Sequence, residues 1–445
     1  MKIGELGGAA FSVLGNEIKA IRSALWFRPT AFCLLAALLA LAVAAVDDLL
    51  PKEDLVWLPE VGKENLHDLL SLLAQGMLTV STVTLSVLML VLNLTAGQAS
   101  PRVVPEMMAD EVTQNALGSF LATFVFSLTA LMLLGIDGIA DAGIALTFFC
   151  ALLLILNALR YIVQWIHHVA TATKLNRIVS RVHRQAEQVL VNYLDHGDET
   201  AAERLRTGEG APAVLRAKGS GYVRTLDAAE LESLAKEHGL ILRLAVKEGD
   251  FVHPRRPLME VWGADPEGEK GSDAKELAAA LRIPVAVGYE RSPENDPLLG
   301  FELLAEVACR ALSPGVNDPQ TALVGLDHLG GLLALAAATP PESYPPVWPG
   351  DGRLELQRVG FAAMLERALR PVMRDGAGQA EVISRVVGVL GDLVETADPA
   401  YLDLLAEAAA RAEAFGEAEL VLEQDKKGLA GQAEALRERI AARKA

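Results

Sequence analysis

The sequence predicts a four-helix transmembrane domain followed by a cytoplasmic α+β domain, a small barrel-sandwich-like β module leading into a helical bundle. Three observations predict it. Four apolar runs, 31–46, 69–94, 116–136 and 144–162, occupy the first third of the 445 residues, and nothing comparable follows. Basic residues collect at both ends of that region. Beyond residue 207 short strand-like pieces come first, and from Pro297 the apolar positions recur at helical spacing. The segments are therefore 1–30, an interfacial amphipathic helix; 31–165, the spans; 166–206, a juxtamembrane basic helix; 207–290, the β module; and 291–445, the helical domain.

A hydrocarbon core of about 30 Å demands roughly 20 mostly apolar residues in a helix whose backbone groups are bonded internally. The run 31–46 is the shortest, but Trp26, Phe27, Leu49 and Leu50 extend it; 69–94 is the longest and implies tilt or projection beyond the bilayer. Ahead of them, Ile3, Leu6, Phe11, Leu14, Ile18, Ile21 and Leu25 fall on one side of a helix that suits the membrane surface. This segment lacks the plan of a cleavable secretory signal.

Charge orients the spans, because short cytoplasmic segments collect Lys and Arg. Lys2, Lys19, Arg22 and Arg28 precede the first run, and Lys174, Arg177, Arg181 and Arg184 follow the fourth. Both termini are thus expected in the cytoplasm. The loop after the first run is acidic (Asp47, Asp48, Glu53, Asp54, Glu60, Glu64, Asp68), and the loop after the third carries Asp137 and Asp141. The middle loop, Arg102 against Glu106, Asp110 and Glu111, votes weakly the other way. The stripe Lys174, Arg177, Arg181, Arg184 has two open readings: a face for anionic lipid headgroups or an anion-concentrating entrance, and ordinary topology-setting charge.

The spans lack Asp, Glu, Lys and Arg at their centres, which disfavours a proton-relay carrier. Arg160, near the inner end of the fourth run, can snorkel to the headgroups. The second run differs from the others. Gln75, Thr79, Thr82, Ser86 and Asn93 share one helical stripe with Ser71, and Ser81, Thr84 and Thr95 lie nearby. Such a stripe lines a hydrated passage when subunits surround an axis, or lets helices pack closely. A shorter polar face, Asn157, Arg160 and Gln164, sits on the fourth run.

Composition excludes other classes. A formal net charge of −17, with the acidity mainly after residue 185, argues against a nucleic-acid partner. Cys33, Cys150 and Cys309 are too scattered for a disulfide framework or a zinc motif. None of the eight histidines has metal-ligand spacing, and adjacent His167 and His168 read as interfacial anchors. There is no phosphate-binding Gly-Lys-Ser/Thr loop and no nucleophile elbow. No catalytic residue, metal or cofactor is therefore assigned.

In the soluble part, strands are expected at Gly221–Leu226, 240–246, 258–261 and 283–288. Gly249-Asp250 supplies the left-handed backbone of a tight hairpin, as in biotinyl- or lipoyl-type modules, though without a carrier lysine in a Met-Lys-Met setting. Helices are expected at 297–312, 319–337, 353–372, 378–396, 399–413 and 416–442.

One tripeptide appears twice, Asn295-Asp296-Pro297 and Asn317-Asp318-Pro319, each before a helical pattern. Asp caps a helix start and Pro at the first helical position loses no bond. With Arg291, Arg310 and the Ser313-Pro314-Gly315 turn nearby, the two starts together either bind an anion or lock two helices together. The stretch from Ala311 to Ala322, with Glu290-Arg291-Ser292 and Asn295-Asp296-Pro297, resembles the signature of a bacterial membrane-protein family catalogued as domain of unknown function 2254. The resemblance implies four spans and a cytoplasmic C-terminal portion, and it brings placement more than an activity. The family's first copy is more often Gln-Asp-Pro, so Asn295 departs from it.

These readings combine into a homo-oligomer in the lipid bilayer, channel-like or transport-related. Its pore is lined by Gln75, Thr79, Thr82, Ser86 and Asn93, and Arg291, Asp296, Arg310, Ser313, Asn317 and Asp318 serve as ligand or capping groups. The rival is a non-conducting membrane-anchored sensor or scaffold whose soluble domain binds a ligand or protein.

Overall fold

The computed structural model describes residues 26–46, 61–98, 110–136, 141–172, 175–195, 210–268, 272–344 and 352–444. Of the expected surface helix at residues 1–30, residues 1–25 lie outside them and the rest meets the start of the first described helix; most of the expected charged loops lie outside too. The chain divides into two compact units, one running to Lys174 and one starting at Leu175.

The first unit holds α1 (Phe27–Val46), α2 (Lys63–Gln98), α3 (Glu111–Gly135) and α4 (Asp141–Ala172). Arg28 pairs with Glu111 at 2.6 Å and donates to Asn115 at 3.2 Å, so α1 and α3 start side by side. Gly118 permits this approach, because a Cβ there would sit 2.8 Å from the Phe32 ring and 3.3 Å from Pro29 Cα. His168 reaches Asp110 at 3.0 Å, which sets α4 antiparallel to α3 with its end at the same level. Phe126, Ala122, Ala36, Ala40, Leu66 and Leu70 are buried in one cluster. Outward, Leu34, Leu38, Leu72, Val83, Met132, Leu153 and Val163 are exposed. An apolar shell round an apolar core is what a lipid solvent selects.

Among the described residues, length and composition make five helices capable of crossing a membrane where the sequence suggested four: parts of α1 to α4, and Pro319–Ala337 in the second unit.

The second unit starts with α5 (Leu175–Asp195). Strands β1 (Ala213–Arg216), β5 (Pro257–Trp262), β3 (Ile241–Leu244) and β7 (Leu354–Glu355) form one sheet in that order; β4 (Phe251–Val252), β2 (Gly221–Leu226) and β6 (Val285–Gly288) form another. Helices α6 (Ala228–Glu237) and α7 (Ser272–Arg282) add Leu231, Ala235, Ala278 and Leu281 to the core of this module. Gly249 has the left-handed φ of +86°. The tight hairpin expected there does not form, because β4 crosses to pair with β2, while β3 pairs antiparallel with β5.

The remainder is helical: α8 (Leu299–Ala311), α9 (Pro319–Ala337), α10 (Phe361–Asp375), α11 (Ala380–Thr396), α12 (Leu402–Glu419) and α13 (Glu423–Lys444). The helix expected at 353–372 is corrected at its start. Leu354 and Glu355 run parallel to Leu242 and Arg243, and Arg243 holds Glu355 at 2.8 Å, so tertiary pairing overrides the local helical pattern.

Candidate functional site

The stripe on α2 divides by exposure. Gln75, Thr79, Thr82, Ser86 and Asn93 are exposed on the surface of the chain, whereas Ser81 and Thr84 are buried against the bundle. A helix places residues three and four apart on one face, so one side of α2 packs inward and the other carries the five polar groups outward. The Thr79, Thr82 and Ser86 hydroxyls donate to the carbonyls of Gln75, Leu78 and Thr82, each at 2.9 Å. Their donors are spent inward, and their oxygen lone pairs remain as acceptors on the outer face.

The two Asn-Asp-Pro copies are not brought together. They flank α8, one before its start and one after its end, and its 13 residues span about 20 Å, so no shared anion site forms between them. The second copy caps as expected. Asp318 Oδ1 accepts from Thr321 N at 3.2 Å, Oδ2 accepts from Thr321 Oγ1 at 2.6 Å, and Pro319 opens α9. Asn317 is left-handed, φ +48°, alone among the described non-glycine residues. In the turn ahead of α9, Val316 N and Asn317 N donate to the Ser313 carbonyl and Asp318 N to Ala311, so these amides bond within the turn. Ser313 Oγ donates back to the Arg310 carbonyl at 2.7 Å.

The first copy does something else. Helix α8 starts at Leu299, two residues later than expected, with no side-chain cap. Asp296, 2% exposed, instead accepts from Arg291 Nε at 2.5 Å and from Leu298 N at 3.0 Å. Arg291 also pairs with Glu302 on α8, and Asn295 donates to Thr225 Oγ1 on β2 at 3.0 Å. Gly249 abuts this carboxylate; a Cβ there would lie 2.1 Å from Asp296 Oδ2. The result is an ionic bolt holding residues 291–296 to α8, and Asn295 and the Gly249 contact tie that segment to the β module. Burial opposes the Arg291 charge, yet its bonds to Asp296 and Glu302 outweigh that and raise its pKa.

Next to the bolt, burial pushes the Glu248 carboxyl above the usual range, and Asp296 and Asp250 add to the rise against the pull of backbone amides. Its sequence neighbours are ordinary turn residues, so only the folded arrangement reveals it.

Of the basic stripe, Arg181 and Arg184 are exposed on α5, while Lys174 and the side chain of Arg177 lie outside the described residues. The opposite face of α5 buries Val179, Val182, Val189 and Leu190. His168 bonds Asp110 at 3.0 Å. His183 on α5 packs against His328 of α9 with ring centroids 4.7 Å apart and the planes tilted by 58°, and among the described residues no three His, Cys, Asp or Glu gather to hold a metal. Burial and the nearby Asp375 push the Cys309 thiol up to about 12, which disfavours its thiolate.

Sequence comparison agrees with this picture. A family model described as a predicted membrane protein of domain of unknown function 2254 matches residues 22–392. Uncharacterised proteins of Mycobacterium bovis and Mycobacterium tuberculosis are each 27% identical over 330 residues, 72% of this chain. The chain spans 62% of the length of these relatives. No solved structure matches. With its apolar helices and the matched stretch running through both Asn-Asp-Pro copies, the chain belongs to this membrane-protein family.

Proposed function

We propose that the chain is a multi-pass inner-membrane protein with α1 to α4 as its spans and both ends cytoplasmic. In this reading it assembles as a homo-oligomer around a channel-like passage lined by α2, and the second unit supports assembly or gating. The role is not enzymatic. One observation carries the reading: the polar residues Gln75, Thr79, Thr82, Ser86 and Asn93 face out of the single chain rather than into its helix contacts. Polar groups directed at hydrocarbon gain nothing; directed at a shared axis they meet water or a neighbouring copy. The outward acceptor oxygens suit hydrated cations better than anions.

The test is conductance. Full-length protein in planar bilayers is expected to pass current, and Thr82→Leu with Ser86→Leu to abolish it while the oligomer persists by crosslinking. Silence of the unsubstituted protein under voltage and tension overturns the passage and leaves the membrane-anchored sensor. The pairing of Arg291 with Asp296 and Glu302, and the bonding of the 316–318 amides within their own turn, support the passage over that rival.

A further inference from the structure

The interior of the first unit holds a second set of polar groups, within a single chain. On α3, Ser119, Thr123 and Ser127 recur every four residues and are all buried. On antiparallel α4, His168 and Asn157 meet this line, and Thr147 is buried on the same helix. His168 Nε2 lies 3.0 Å from Asp110 Oδ2 at one end. Deeper in, Asn157 Nδ2 donates to Ser119 Oγ at 3.0 Å, and Thr123 Oγ1 donates to the Ser119 carbonyl at 2.8 Å.

Counting on from the Ser119–Asn157 pair, Ser127 lies about 12 Å further along α3 and Thr147 about 15 Å further back along α4, so the two share one level of the bundle. From Asp110 to Ser127 the polar line rises about 26 Å, most of a hydrocarbon core of about 30 Å.

At that level the line ends in two orphans. Ser127 Oγ and Thr147 Oγ1 are shut off from solvent, with the residues 0% and 1% exposed, and neither has a hydrogen-bond partner. A hydroxyl in an apolar interior without a partner is costly, and nowhere more so than in a membrane domain. Threonines and serines of α2 show the usual remedy, a bond to the carbonyl one turn back; these two do not take it. Two neutral hydroxyls fall far short of the six or so oxygens a hard cation wants, roughly. They do match a water molecule, which needs 2–4 polar partners, about three being typical.

We propose that Ser127 and Thr147 share ordered water inside the bundle, so that the line through Asp110–His168, Ser119–Asn157 and Thr123 continues as a hydrated seam between α3 and α4. The seam belongs to one subunit and stands or falls independently of any passage along α2.

A double-substitution cycle on the full-length protein in lipid nanodiscs tests it, with thermal unfolding as the readout. Ser127→Ala and Thr147→Val remove the hydroxyls with little change of volume, and Thr147→Ser keeps the hydroxyl while removing the methyl. Each of the first two is expected to lower Tm, with the double variant no lower than the worse single one, because the second substitution deletes a group whose water is already lost. Thr147→Ser is expected to retain the coupling to Ser127. Singles that raise Tm or leave it unchanged mean dry hydroxyls, and strictly additive losses mean hydroxyls bonded separately; either result overturns the shared water. Conductance, measured separately, reports on α2 and not on this coupling.

Discussion

Glu248 shows how a single residue acquires its chemistry only from the fold. Its carboxyl is pushed up by burial, with Asp296 and Asp250 adding to the rise. Between the ordinary glutamate pKa and the raised one, the unfolded chain releases a proton that the folded chain keeps. Stability therefore falls as pH rises through that window, and the loss persists above it. Glu248→Gln, which is neutral at every pH, is expected to raise Tm at neutral pH and to converge on the unsubstituted protein as pH drops below the ordinary carboxylate range. A Tm difference that does not change with pH would mean that Glu248 titrates as an exposed side chain. The adjacent Gly249 has no such latitude, since its left-handed backbone and its contact with Asp296 both exclude a side chain.

At the scale of elements, the two Asn-Asp-Pro copies show how far a local pattern can be read. Asp318 meets only its own helix start, so capping decides its role. Asp318→Ala is expected to cost about 0.5–2 kcal/mol, measured by urea unfolding of the full chain. Asn317→Gly is expected to leave stability nearly intact, and a loss there as large as the Asp318 loss would refute the capping account. Asp296 stands in the same tripeptide but has Arg291 only five residues before it, and an ion pair with a buried carboxylate outcompetes a cap. The apolar runs were legible for the same kind of reason as Asp318: lipid reads composition, and the helices of the first unit need little else. The short strand β7 was not legible, because two residues carry no period and its partner Leu242 lies more than a hundred positions earlier. The seam on α3 was hidden too, since Ser119, Thr123 and Ser127 read as ordinary small residues of an apolar run until Asn157 is placed against them. On α2 the stripe was visible by spacing, but which side of it packs inward depends on neighbours the spacing does not name.

For the whole molecule the deciding question is how many helices cross, because the count sets which side each part occupies. Helix α9 is long and apolar enough to be a fifth span. Two contacts argue against its crossing. β3 precedes α9 and β7 follows it, yet Leu242 pairs with Leu354 in one sheet, and a hydrogen-bonded sheet does not straddle a bilayer. Asp327, within α9, pairs with Arg385 of α11 at 2.7 Å. In the first unit, the starts of α1 and α3 and the end of α4 lie at one end, which fits an even number of crossings. A background in which Cys33, Cys150 and Cys309 are alanine, carrying one new cysteine at an exposed position, puts the count to the test with a membrane-impermeant thiol reagent. Glu64→Cys is expected to label in intact cells, while Lys236→Cys and Gln424→Cys, on either side of α9, label only after permeabilisation. Opposite behaviour of Lys236→Cys and Gln424→Cys would make α9 a span and break the sheet pairing. Reversal of all three together would invert the orientation and leave the even count standing.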